Sequence, residues 1–167
     1  TNTLRKAQHA AGFRERARVA LGHPIDIIPG REEARLVYLG VSHSGGEQPG
    51  RNLVVDIGGG STECVIGERF EPLLADSLYM GCVSYSRRYF PDGVLTEERF
   101  QTARIAAQQK VEPIARAYGD LGWDRVLGSS GTIAAVSQVS RQNPWSAAPL
   151  TPAGLSKLRA AILTAGH

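Results

Sequence analysis

The stretch Leu53-Val54-Val55-Asp56-Ile57-Gly58-Gly59-Gly60-Ser61-Thr62-Glu63 limits what this chain can fold into more than any other. An apolar run ends in an acid, three glycines and two hydroxyls follow, and a second acid closes the stretch before Cys64-Val65-Ile66-Gly67 resumes the apolar pattern. The pattern predicts strand, tight glycine turn, strand, with a carboxylate at each edge of the turn. Glycines let backbone N–H groups converge on an anion, since no Cβ blocks the approach or forbids positive φ. Asp56 and Glu63 would then hold a hard cation against phosphate oxygens. The stretch is not a Walker A loop, because no Gly-Lys-Ser/Thr follows. It is not a dinucleotide fingerprint, because a strand and not a helix follows the glycines. The plain alternative is a glycine-rich hairpin turn, but a two-residue loop would suffice for that.

Around this centre, strands and helices alternate, which predicts an α/β class. Thr3 is placed to cap a helix running to about Leu21, stopped by Gly22 and Pro24. Ile25–Ile28 reads as a short strand, and Arg31–Gly40 as a helix with Glu32 and Glu33 in its first turn, where the macrodipole favours acids. Residues 42–52 read as a polar connector and hinge. Phe70–Met80 reads as a third strand, giving an antiparallel meander. Thr96 caps the longest helix, running to about Tyr118 with a kink or break expected at Pro113. Arg125–Gly128 reads as a strand. It leads into Ser129-Ser130-Gly131-Thr132, a second small-residue loop, and a helix from Ile133 to about Val139. The start of that helix favours an anion, although a strand-to-helix turn with a Ser cap is common. Residues 141–149, with Trp145, read as a loop, and Thr151-Pro152 opens a last helix over 152–164.

Composition narrows the function classes. The chain has 167 residues, 42% hydrophobic and 21% charged, with a net charge of +3. No stretch approaches the roughly 20 apolar residues of a membrane span, and no apolar leader precedes the polar N-terminus. No basic stripe interleaved with aromatics points to nucleic acid. Cys64 and Cys82 read as buried free thiols in a reducing compartment and not as a disulfide. The four histidines show no metal-ligand spacing. The chain starts without a methionine and reads as an excised piece of something longer.

Several motifs, in order, resemble one family. They are Thr1-Asn2-Thr3-Leu4-Arg5, Ile27-Ile28-Pro29-Gly30-Arg31-Glu32-Glu33-Ala34-Arg35-Leu36, Val55-Asp56-Ile57-Gly58-Gly59-Gly60-Ser61-Thr62-Glu63, Met80-Gly81-Cys82-Val83 and Gly128-Ser129-Ser130-Gly131-Thr132. Together the chain resembles the exopolyphosphatase and guanosine pentaphosphate phosphatase (Ppx/GppA) family over nearly its whole length. The resemblance implies a ribonuclease-H-like fold of the actin, sugar-kinase and Hsp70 ATPase superfamily, with two such domains flanking a cleft. It implies that residues 1–41 are the C-terminal part of domain I, 42–52 a connector, and 53–167 a domain II truncated at its C-terminus. It implies a magnesium-dependent hydrolase that removes terminal phosphate from inorganic polyphosphate or from guanosine penta- or tetraphosphate. A cytoplasmic setting follows, with peripheral attachment at the membrane as a variant, and a homodimer for the full-length protein.

Site roles follow from the same resemblance. Glu33 matches the glutamate that activates water. Asp56 and Glu63 match the acids that handle Mg2+. Arg5, Gly58, Gly59, Gly60, Ser61, Gly128, Ser129, Ser130 and Gly131 match phosphate-binding positions. The family's first phosphate loop, of Asp-x-Gly-Ser-Asn-Ser type, is absent, so the chain by itself is expected to be weakly active or inactive. Two competing functions are a small-molecule kinase of the same superfamily, which would transfer phosphate from ATP, and a sensor that binds polyphosphate or alarmone without hydrolysing it.

Overall fold

In a computed structural model, residues 4–5, 7–45, 49–143 and 150–166 are described. The described elements run α1 (Ala10–Leu21), α2 (Gly30–Gly45), β1 (Arg51–Ile57), β2 (Thr62–Glu68), β3 (Glu71–Leu78), α3 (Cys82–Tyr89), α4 (Glu97–Leu121), β4 (Arg125–Ser129), α5 (Ser130–Gln142) and α6 (Pro152–Ala165). The expected α/β class and meander are both present. The sheet has the order β3-β2-β1-β4, with β1 antiparallel to β2, β2 antiparallel to β3, and β4 parallel to β1.

Side chains alternate between sheet faces, and the register turns that alternation into rows. One row runs Ala75–Val65–Val54–Leu127 across the four strands. It is covered by α2, whose Ala34 and Tyr38 form the buried core with Val54 and Val65, while Val37 and Val41 pack against it. One step toward the end of β1, the row on the same face is Ser77–Glu63–Asp56–Ser129. The apolar row anchors α2, and the polar row lies beyond it, toward the helix N-terminus.

The fit between α2 and the sheet depends on one glycine. A Cβ on Gly67 would stand 2.3 Å from Tyr38 Cζ, 2.6 Å from its hydroxyl oxygen and 2.6 Å from the Glu71 carbonyl oxygen. Tyr38 is fully buried and donates its hydroxyl to the Arg69 carbonyl at 3.1 Å, so it has no room to yield. Gly67→Ala should therefore destabilise the fold by about 1–3 kcal/mol, the usual cost of overpacking a core. Chemical denaturation reads this directly, and an unchanged midpoint would show that Tyr38 moves freely.

Several expected elements differ. Ile25–Ile28 pairs with no strand among the described residues; the Ile28 carbonyl instead accepts a hydrogen bond from Arg5 at 3.3 Å. The helix expected from Leu4 is interrupted: Leu4 and Arg5 are helical, Gln8 and His9 form a turn, and α1 starts at Ala10. The Thr3 cap lies outside the described residues. The connector is shorter than 42–52, because α2 continues to Gly45. Its last turn is held by Ser44 Oγ donating to the Gly40 carbonyl at 2.8 Å and by His43 lying against Phe70. Arg51 and Asn52 already belong to β1. Pro113 does not break α4, which runs unbroken to Leu121. Pro113 and Gln109, whose carbonyl loses its partner, are both exposed, so water can take that carbonyl.

The two expected threonine caps stand. Thr96 and Thr151 cap α4 and α6, accepting from the backbone N–H of Arg99 and Gly154. The expected loop starts later than 141, because α5 continues to Gln142; Trp145 and residues 144–149 lie outside the described residues. Cys64 and Cys82 are free, but each is half-buried where full burial was expected. Burial pushes the Cys64 thiol up to about 11, which keeps it protonated and unreactive near neutral pH. No described helix is long and apolar enough to cross a membrane.

Candidate active site

The glycine stretch folds as a hairpin whose last pair is closed by the Gly58 N–H donating to the Ser61 carbonyl at 2.9 Å. None of Gly58, Gly59 and Gly60 has positive φ. The glycines serve close approach and not left-handed backbone. What approaches is the start of α3. Cys82 N–H donates to the Gly58 carbonyl at 2.9 Å, and Ser84 N–H donates to the Gly59 carbonyl at 3.0 Å. In a trans peptide the N–H points opposite to its carbonyl. With both carbonyls turned to α3, the N–H groups of Gly59 and Gly60 point away from it. The N-terminus of α3 therefore orients the loop and is itself consumed by doing so.

The acids converge from three elements. Asp56 and Glu63 are direct cross-strand partners at the ends of β1 and β2. Like charges in that position repel. Glu63 is 3% exposed, and its Oε1 accepts from Ser77 Oγ at 2.7 Å. Burial raises the Glu63 pKa; hydrogen bonds from Ser77 and Ser61 act against that, and the charges of Glu33 and Asp56 raise it further. Glu33 is thus close enough for its charge to act on Glu63, although it comes from the first turn of α2.

Arg5 joins the group through Glu33. Its Nη1 donates to Glu33 Oε2 at 2.7 Å, with the arginine side chain 12% exposed. Its Nε and Nη2 are buried without a protein partner. Gly30 fits beneath: a Cβ there would stand 2.7 Å from Ser77 Cβ and 3.7 Å from Arg5 Nη2. The motif reading missed Ser77, which touches Glu63 on one side and packs under Gly30 on the other.

The expected second loop is instead a direct corner, with β4 ending at Ser129 and α5 starting at Ser130 and not at Ile133, and this corner abuts the glycine loop. Ser129 is the parallel partner of Asp56, and Ser130 Oγ donates to the Ile57 carbonyl at 2.8 Å. Gly128 is required where it stands, since a Cβ would lie 2.5 Å from Ile133 Cγ2 of α5. Gly131 has open space around it and is exposed. All the expected site residues therefore gather at one end of the sheet, around the ends of β1 and β4, the start of β2 and the start of α2.

Asp56 and Glu63 are the residues that could hold a cation here. Among the described residues no group of three or more His, Cys, Asp or Glu is arranged as a metal cage. Asp56 and Glu63 offer oxygen donors only, and their mutual repulsion calls for a positive charge or a proton. Mg2+ characteristically takes one or two carboxylates and fills its remaining positions with water and phosphate. A cavity of about 860 Å³ lies on the opposite sheet face, lined by Leu53, Val55, Ile57, Cys64 and residues of α3 and α4. Its walls are apolar and do not suit a polyanion.

The pattern described as the Ppx/GppA phosphatase family matches residues 1–167. A Haemophilus influenzae protein with the provisional name exopolyphosphatase is 46% identical over 167 residues, the whole of this chain and 51% of its own length. A Vibrio cholerae protein named guanosine-5'-triphosphate,3'-diphosphate pyrophosphatase is 49% identical over 139 residues, 83% of this chain and 28% of its own. Among solved structures, an Aquifex aeolicus PPX-GPPA enzyme superposes with a TM-score of 0.75 at 26% identity, over 96% of this chain and 54% of that one. The chain thus spans about half the length of the first relative and less of the second.

Proposed function

The chain belongs to the Ppx/GppA phosphatase family, and from that premise we propose that it carries part of the active site of a magnesium-dependent hydrolase acting on inorganic polyphosphate, guanosine pentaphosphate, or both. The observation that carries this reading is the meeting of Arg5, Glu33, Asp56 and Glu63 beside the amide-presenting glycine loop. The N–H groups of Gly59 and Gly60 receive the terminal phosphate. Arg5 has unpartnered N–H donors to offer its non-bridging oxygens. Glu33 accepts the proton of a water aligned on the terminal phosphorus. Asp56 and Glu63 would hold Mg2+, which would supply charge neutralisation at the phosphoryl oxygens. A cytoplasmic setting belongs to the same reading.

Catalysis also needs water excluded and charge enclosed. Gly59 and Gly131 are exposed, so the site as it stands is open on one side. Calorimetric titration of tripolyphosphate into the chain should therefore show binding that weakens at least tenfold when Mg2+ is removed. Phosphate release from long-chain polyphosphate should be well below that of a complete relative. Absence of both binding and release would overturn the reading, and full turnover by the chain alone would overturn the argument from openness.

A further inference from the structure

Ser130 is one of two described non-glycine residues with positive φ, at 81°, and it sits at the strand-to-helix corner between β4 and α5. A left-handed serine costs free energy and persists only where its surroundings hold it. What holds it is visible: its hydroxyl donates to the Ile57 carbonyl at 2.8 Å. Ile57 is the residue immediately before the three glycines. The backbone pairing of β1 with β4 ends one step earlier, at Asp56 and Ser129. The Ser130 hydroxyl thus continues the β1–β4 connection past the end of the ladder, onto the base of the glycine loop. From the other side α3 holds that loop by the carbonyls of Gly58 and Gly59. The loop is clamped between two supports, and Ser130 is the one that comes from the β4–α5 corner.

We propose that Ser130 is a positioning residue: its strained turn and its bond to Ile57 set the spacing between the β4–α5 corner and the glycine loop, and so the place of the Gly59 and Gly60 amides. Its hydroxyl proton is given to Ile57, so its contribution to phosphate recognition runs through that carbonyl. This rests on the phosphate-site reading above.

Two substitutions separate strain from clamp. Ser130→Gly removes the hydroxyl and relieves the backbone. Ser130→Ala removes the hydroxyl and keeps the strain. If the hydroxyl positions the loop, both variants should show amide hydrogen exchange at residues 57–61 at least threefold faster than the parent. Both should bind tripolyphosphate about 5- to 20-fold more weakly, although only Ser130→Ala should melt at a clearly lower temperature. Ser130→Gly with parental exchange and parental affinity would overturn the proposal. So would an affinity loss seen only in Ser130→Ala, because that would follow stability and not the clamp. Should the parent chain take up no tripolyphosphate, the phosphate reading is what fails, and the exchange rates alone decide whether Ser130 clamps the loop.

Discussion

Replacing Glu33 by Gln should lower kcat for phosphate release by about 10²- to 10⁴-fold, the range a positioned general base supplies. That corresponds to roughly 3–5 kcal/mol of transition-state stabilisation. Gln keeps the length and planarity of the side chain, so the first turn of α2 and its contact with the sheet should persist. KM should stay level or fall. In the parent, Arg5 Nη1 is engaged by Glu33 Oε2 at 2.7 Å. A neutral amide grips the guanidinium less firmly and leaves more of its charge for phosphate. The same change removes one of the charges raising the Glu63 pKa, which favours the ionised form of Glu63 and should not weaken metal retention. Steady-state kinetics on the turnover-competent protein carrying this chain decides the matter. A kcat within threefold of the parent would show that Glu33 is not the base. A large rise in KM with kcat intact would make it a binding residue.

The glycine hairpin, the meander and the caps at Thr96 and Thr151 were legible because local signals fix them: turn residues, period-two alternation and capping side chains. The acids were legible as residues, but their neighbours were not. Simple counting through the β2–β3 hairpin would put Asp76 opposite Glu63 and stack a third carboxylate there. A bulge between Ile66 and Gly67 shifts the register by one, and Ser77 takes the place instead. A hydroxyl donor thus stands where the count predicts repulsion, and nothing local in residues 70–80 announces it. The strand expected at Ile25–Ile28 failed for a related reason. Its apolar residues are half-buried, but the segment joins no ladder among the described residues. The connector was misjudged because Ser42, His43 and Ser44 look like loop residues. On the last turn of α2 the side chains of His43 and Ser44 bond back to carbonyls four residues earlier.

Gly81→Ala should be the most damaging small change at a position that carries no chemistry. The φ of Gly81 is −158°, extended backbone that any residue adopts, so the effect cannot come from strain. It comes from what a methyl group would meet: Gly59 C at 2.5 Å, Gly60 N at 2.5 Å and the Gly58 carbonyl oxygen at 2.7 Å. All three are backbone atoms of the glycine loop, so no side-chain rotation relieves the overlap. The loop must lift off α3, and the bonds from Cys82 and Ser84 N–H that turn the Gly59 and Gly60 amides toward the site are lost or lengthened. The expected cost is about 1–3 kcal/mol of stability for overpacking, together with a tripolyphosphate affinity at least tenfold weaker. Gly12→Ala is the matching control. It lies on the exposed face of α1 with nothing within 4 Å, so replacing a helical glycine there should stabilise by about 0.5–1 kcal/mol and leave binding unchanged. Denaturation and titration of the two variants side by side would test the claim. Parental affinity in Gly81→Ala would mean that the amides reach phosphate without the support of α3.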